Sequence, residues 1–331
     1  MRILTGIDAL RTLRHGSAMA VGNFDGVHRG HRHICRRLGE LAAAGGGGAS
    51  GAGGAAEAAE RVVVTFEPHP LTVLKPEKAP PRLTPSGLKR DLLAGLGVDV
   101  LIELPPDQTV LNLSAEAFWH ILRDEARPAH LVQGENFTFG RAAAGTTPKL
   151  AAWAQGTGVQ VHVVEPVEVA LCDFTVVDVS STIVRWLIAY GRARDAAICL
   201  GAPYTLAGEV VEGYRRGNTI GFPTANLACG EQWLPADGVY AARATVDGTD
   251  WPAALSIGTT PTFEGVRRQV EAHLVGFNGN LYGRTLRLEV LDWLRGQRPF
   301  PDVTHLKAQL ARDVAAAAGY DCDVKRPLVD V

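Results

Sequence analysis

A membrane-length apolar run is missing from this chain. No window of about 18 consecutive apolar residues occurs, so no transmembrane helix is expected. The first residues, MRILTGIDALRTLRHG, hold no continuous apolar stretch and no cleavage pattern, so they do not read as a secretion signal. Charge of one sign is not in excess: 33 Lys and Arg stand against 35 Asp and Glu. With no basic tract, a nucleic-acid partner is not expected. Cysteines are few and odd in number. Cys35, Cys172, Cys199, Cys229 and Cys322 are scattered, none in a CxxC pair, which argues against a disulfide framework and a thiolate metal site. Reduced thiols and a cytoplasmic location follow as expectations.

What is present allows more. The 331 residues suffice for two domains, and a hydrophobic fraction of 46% suits real cores. Ala18 to Arg32 reads AMAVGNFDGVHRGHR. A short apolar run ends at Gly22, a tight turn follows, and His28 and His31 fall where a helix begins. Residues three apart on a helix share a face. Free backbone N–H groups and the positive end of the helix dipole point the same way, so this place can hold phosphate. Gly22 and Gly26 permit the turn, and Gly30 leaves room for a ligand beside the backbone. A bare HxGH pattern arises easily by chance; the full string is far more specific.

Strands and helices then alternate. Arg61 to Phe66, RVVVTF, is a β-branched run of the kind found in buried parallel strands. It leads into EPHP, a loop after a strand end of the kind where open α/β sheets bind ligands; His69 can line a site there, although a loop histidine flanked by prolines reads first as structural. Thr84 caps a helix with Pro85 at its first position, and Gly97 ends it. Further strands are expected at Val98–Leu104, Ala129–Val132 and Val161–Val164. The pattern predicts a doubly wound parallel sheet. The Gly/Ala-rich stretch at 42–60 reads as a loop. Near the end of this half, Ser180 or Ser181 can cap a helix carrying Arg185, a residue suited to bidentate phosphate contact.

From Leu187 the texture becomes glycine-rich and strand-like. Gly213 to Gly217 encloses Tyr214, Arg215 and Arg216, a compact loop able to cradle phosphate, although no GK[ST] follows it. In GFPTAN, Thr224 and Asn226 lie two apart and project to one face of an extended segment. Both offer oxygen ligands suited to Mg²⁺. Six short strands with turn signals, including the Asp247-Gly248 hairpin, predict a small β-barrel. A closing helix is expected over Phe300–Ala318, with Val303, Leu306, Leu310 and Val314 as its stripe and Gly319 at its end. Glu271 alternates with apolar Val270 and Ala272, which places it on the opposite strand face; alone it reads as an outward, solvated residue.

These segments in this order carry a resemblance. Gly22, Phe24, Asp25, His28, Gly30 and His31 match the G-x-F-D-x-x-H-x-G-H signature of nucleotidylyltransferases. Together with TFEPHP, GENFTFG, SSTIVR, GFPTANL and VEAHLV, the chain resembles the prokaryotic bifunctional riboflavin kinase/FAD synthetase family. The resemblance implies two domains, residues 1–186 and 187–331. The first is a Rossmann-like α/β adenylyltransferase and the second an antiparallel barrel kinase. It implies that riboflavin is phosphorylated to FMN by ATP, and FMN adenylylated to FAD. It further implies that His28 and His31 contact ATP phosphates, with Gly22, Phe24 and Gly30 shaping that site. Ser180, Ser181, Thr182 and Arg185 would close over the phosphates, and Asn136 would help hold the flavin and adenine ends. In the second half Gly213 and Gly217 would hold phosphates, Thr224 and Asn226 the Mg²⁺ ion, Glu271 would act as base, and Arg295 would contact flavin. Ser256 and Gly276 depart from the family pattern, where Asn and Asp are frequent.

Overall fold

The computed structural model describes residues 1–45, 58–213, 220–262 and 265–320. The chain folds as two compact units, Met1–Pro80 with Ser86–Glu168, and Pro81–Pro85 with Val169–Val331.

In the first unit, β1 (Arg2–Thr5), β2 (Ala18–Val21), β3 (Arg61–Phe66), β4 (Val100–Leu104) and β5 (His130–Gly134) precede a small pair, β6 (Thr138–Phe139) and β7 (Gly145–Thr146), and then β8 (Gln160–Val164). The main sheet pairs its six strands in the order β1-β4-β3-β2-β5-β8, every pair parallel. Successive side chains alternate between two cores. Met19, Val62, Val64 and Ile102 pack on one face. Ala18, Ala20, Val63 and Leu101 pack on the other, against Leu38 and Leu41 of the helix Arg29–Gly45. The expected doubly wound sheet is present, and burial of both faces explains why its strands read as unbroken apolar runs.

Helix starts follow side-chain caps. Ser114 accepts from Ala117 N at 3.1 Å and Asp107 from Val110 N at 2.9 Å. The helix expected from Thr84 covers Ser86–Gly95. Of the glycine-rich stretch at 42–60, the first residues extend the helix Arg29–Gly45, and 46–57 lie outside the described residues.

The second unit opens on the pair β9 (Glu168–Ala170) and β10 (Val176–Asp178), followed by the helices Ser181–Ala189 and Ala193–Leu200. The strands β11 (Tyr204–Val211), β12 (Ala225–Ala228), β13 (Gly238–Val246), β14 (Thr249–Thr262), β15 (Gly265–Leu274) and β16 (Thr285–Gly296) close into a barrel, in the order β11-β12-β15-β14-β13-β16. All pairs are antiparallel. Asp247 (φ 50°) and Gly248 (φ 78°) make the expected tight hairpin turn. Trp251–Ile257 and the following GTTPTF, read apart in sequence, belong largely to the single strand β14, because β15 pairs with it throughout.

The closing helix spans Val303–Ala318 and is capped by Asp302, which accepts from His305 N at 2.9 Å. Its buried face differs from the expected stripe. Val303 is 55% exposed, whereas Asp313 and Ala317 are buried, Ala317 against Ala241 and Leu291. Asp313 takes an inward position because Arg295 of β16 meets it with two nitrogens, at 3.0 and 2.7 Å.

The boundary expected after residue 186 falls inside the helix Ser181–Ala189, which belongs entirely to the second unit. That unit also takes in residues 81–85. Leu83 is buried, and its carbonyl accepts from Tyr204 Oη at 3.1 Å and Gln232 Nε2 at 2.9 Å.

Candidate functional site

At the C-terminal end of β2 the chain must turn sharply. Gln133 of β5 holds that end with its amide, the nitrogen donating to Val21 O at 2.9 Å and the oxygen accepting from Val21 N at 3.0 Å. Gly22 N donates to Val64 O at 3.0 Å, and Thr65 Oγ1 donates to Asn23 O at 2.9 Å. The turn itself is strained. Phe24 (φ 48°) and Val27 (φ 42°) adopt left-handed backbone without being glycine, and Gly26 lies between them at φ 86°. Such residues cost about 1–3 kcal/mol each. Both side chains are fully buried, which returns about 1.5–3 kcal/mol each.

The strained turn delivers the histidines. Arg32 N donates to His28 O at 2.9 Å, so His28 stands at the cap of the Arg29–Gly45 helix and His31 within its first turn. Their rings stack with centroids 3.7 Å apart and planes 20° apart, and Phe24 backs His31 at 4.9 Å. Burial, then the neighbouring His28 and Lys89, hold His31 well below the usual imidazole pKa. His31 Nδ1 and Arg29 Nε are both buried without a hydrogen-bond partner among the described residues. Unsatisfied nitrogens at a helix N-terminus are what a bound anion would satisfy.

Two further residues stand near this turn. Lys89 is buried, its Nζ 2.9 Å from Glu67 Oε2 and 3.3 Å from Phe66 O, which ties the Ser86–Gly95 helix to the end of β3. In LKRDLL this lysine reads as helix surface, and only tertiary packing reveals it. His69 also departs from an isolated loop role. Its Nδ1 accepts from Leu71 N at 3.2 Å, and its Nε2 lies 3.3 Å from the Asn23 amide nitrogen. Asn136 is exposed in the turn after β5, which neighbours β2, so it shares the sheet edge where open parallel sheets bind ligands.

Ser180, Ser181, Thr182 and Arg185 sit at the start of the Ser181–Ala189 helix in the second unit. Ser180 caps that helix, accepting from Ile183 N at 3.3 Å. Arg185 Nε donates to Pro81 O at 2.9 Å.

In the barrel, register builds the site. Glu271 is the partner of Asn226 on β12 and of Ser256 on β14. The next row, Ala225, Ala272 and Leu255, is buried inside the barrel. Opposed residues share a face, so Asn226, Glu271 and Ser256 line the outer face, as alternation predicted for Glu271. A Cβ on Gly213 would collide with the Asn226 side chain, so the glycine allows a close approach there. Gly217, with Tyr214, Arg215 and Arg216, lies outside the described residues. Thr224 lines a pocket of about 230 Å³ with Pro223, Asn278, Asn280 and Tyr282. The hydroxyl and amide of Thr224 and Asn226 are hard oxygen donors of the kind Mg²⁺ takes, and a cavity of this size leaves room for waters and phosphate. Arg295, expected at flavin, has its guanidinium engaged by Asp313 and by Gly296 O at 3.0 Å, which gives it a part in fixing the closing helix.

A stacked histidine pair at a helix N-terminus on a parallel sheet, and a carboxylate beside oxygen donors on a barrel wall, together define a class: ATP-dependent nucleotidyl and phosphoryl transferases. A family model described as FAD synthetase matches residues 10–182, and one described as riboflavin kinase matches residues 200–320. The chain belongs to the bifunctional riboflavin kinase/FMN adenylyltransferase family. The family member from Escherichia coli (strain K12) is 34% identical over 96% of this chain and 97% of its own length. The Pseudomonas fluorescens member is 34% identical over 96% and 97%, and that of Bacillus subtilis (strain 168) 30% over 94% and 94%. A crystal structure from Streptococcus pneumoniae described as a macrolide-efflux protein is also similar, with a TM-score of 0.82 and 27% identity, covering 97% of this chain and 100% of that one. Among the described residues no helix is long and apolar enough to cross a membrane.

Proposed function

We propose that each unit performs one of two successive ATP-dependent steps. In the barrel, a riboflavin ribityl hydroxyl attacks the γ-phosphorus of ATP, the bond to ADP breaks, and FMN forms. Glu271 takes the hydroxyl proton, supported by its place on the outer face beside Asn226. Thr224 and Asn226 would hold Mg²⁺, whose charge would neutralise the phosphate oxygens, while Gly213 and Gly217 keep the phosphate role that the family pattern suggests. In the parallel unit, a phosphate oxygen of FMN attacks the α-phosphorus of a second ATP, giving FAD and pyrophosphate. No covalent nucleophile is required; positioning and charge stabilisation carry this chemistry.

The observation that carries the second step is the stacked His28–His31 pair with a buried, unsatisfied Nδ1 on His31. Transition-state charge on the phosphates would find donors already in place. Gly22, Phe24 and Gly30 would shape the site around them, and Asn136 lies on the sheet edge where the flavin or adenine would rest. Ser180, Ser181, Thr182 and Arg185 keep the phosphate role that the family pattern suggests. A cytoplasmic location belongs to the same proposal, because both steps consume ATP. The direct experiment incubates the purified chain with riboflavin, ATP and Mg²⁺ and resolves flavins over time. FMN should appear first and FAD later. A chain that makes neither, or converts supplied FMN but not riboflavin, overturns the two-step assignment.

A further inference from the structure

The strand carrying Glu271 bears a second polar group on the same face, two residues on: His273. Its strand partner β12 is paired with β15 only at Ala225↔Ala272 and Asn226↔Glu271. Continuing that register sets Thr224 opposite His273, and Pro223, one residue further out, has no N–H to give a ladder. At this point the side chain of His273 reaches across to the backbone. Its Nδ1 lies 2.7 Å from Pro223 O, and its ring meets the edge of Phe222 at 5.8 Å, planes 66° apart. A carbonyl can only accept, so Nδ1 carries the proton and donates.

What the bond fixes is a pocket wall. Pro223 and Thr224 both line the cavity of about 230 Å³, closed on its other side by Asn278 to Tyr282; His273 does not line it. We propose that His273 is a positioning residue for phosphoryl transfer in the barrel: its Nδ1–H gives the Pro223 carbonyl a side-chain donor where the β12–β15 ladder has ended, and so holds the Thr224 hydroxyl at the wall of the nucleotide pocket. One strand then supplies the base, Glu271, and two positions later the latch for the oxygen donor opposite. This inference rests on the barrel being the riboflavin kinase site. Loss of the latch frees Phe222–Thr224, and a donor misplaced by about an ångström can cost on the order of a hundredfold in rate.

The test compares His273→Ala, His273→Asn and His273→Gln in the full chain. Riboflavin phosphorylation is measured against Mg²⁺-ATP concentration, and adenylylation of supplied FMN reports an intact fold. The Asn amide nitrogen stands where Nδ1 stands, whereas the Gln amide nitrogen stands nearer Nε2. His273→Ala should lower kcat/KM for ATP at least tenfold, with the KM raised, and leave adenylylation unchanged. His273→Asn should recover most of the loss and His273→Gln little of it. Wild-type kinetics in His273→Ala, or rescue by Gln equal to that by Asn, overturns the latch while the kinase assignment stands. A wild-type chain that makes FAD from FMN but no FMN from riboflavin overturns the kinase assignment and the latch with it.

Discussion

Between Val21 and Arg29 the parallel unit forces two non-glycine residues into left-handed backbone to bring a histidine pair to a helix start. Between Asn226 and Glu271 the barrel forces nothing; a strand register sets the two opposite each other on the outer face. The first site is local in sequence and strained. The second is assembled from segments some 45 residues apart and relaxed. Strain of the first kind needs support from outside the turn, and it is present in Gln133 and Thr65. The barrel needs only its ladder and, where that ladder has ended, a side-chain bond.

The sharpest way to break this comparison is to disable one site at a time. Glu271→Gln keeps the shape of the side chain and removes the proposed base, so riboflavin phosphorylation should fall on the order of 10²- to 10⁴-fold, while supplied FMN is still converted to FAD. His31→Ala should do the reverse, lowering adenylylation about 10²- to 10³-fold and sparing FMN formation. Separate assays of the two products decide. If either substitution lowers both activities alike, the two sites are not independent and the division of labour fails.

Much of this was legible in the amino-acid order, and the reasons are physical. The HxGH turn is contiguous, so its spacing alone places both rings at a helix start. The face of Glu271 follows from the two-residue period of a strand. The parallel sheet and the barrel follow from runs and turns of the right length. Lys89 was not legible, because a charged residue on an amphipathic helix reads as solvent-facing until the Glu67 carboxylate is placed over it. Gln133 was hidden for the same reason: parallel pairing joins residues that no local pattern relates. The inward position of Asp313 was hidden too, because an ion pair with Arg295, not apolar character, holds it there. In the folded chain residues 169–186 group with the second unit, because their packing partners lie downstream. An example is Asp195, which accepts from Cys172 N.

A smaller effect separates the units by stability. Gln232 is buried in the barrel unit, where Nε2 donates to Thr205 O at 2.7 Å and Leu83 O at 2.9 Å, and Oε1 accepts from Ala207 N at 3.0 Å. Gln232→Met keeps the volume, removes the acceptor of Ala207 N and leaves Leu83 O to Tyr204 Oη, at a cost of about 1–3 kcal/mol. Heat inactivation of riboflavin phosphorylation should therefore move to lower temperature while that of FMN adenylylation holds its place. Equal shifts in both would show that the two units melt as one body.

The smallest expected effect concerns acid. His31 is held well below the usual imidazole pKa, chiefly by burial, so the folded chain keeps it neutral while the unfolded chain takes up its proton as pH falls through about 6.5. In that window the unfolded state binds more protons, and stability falls with falling pH. His130 and His162, 3.1 Å apart on β5 and β8, are lowered by burial in the same direction and add to the slope. The first unit should thus lose heat resistance as pH falls through about 6.5. His31→Gln, followed by thermal unfolding rather than by activity, should make that loss shallower without abolishing it. An unchanged slope would assign the acid sensitivity to the His130–His162 pair, and would remove the claim that the histidine turn stores a neutral imidazole at a cost in acid stability.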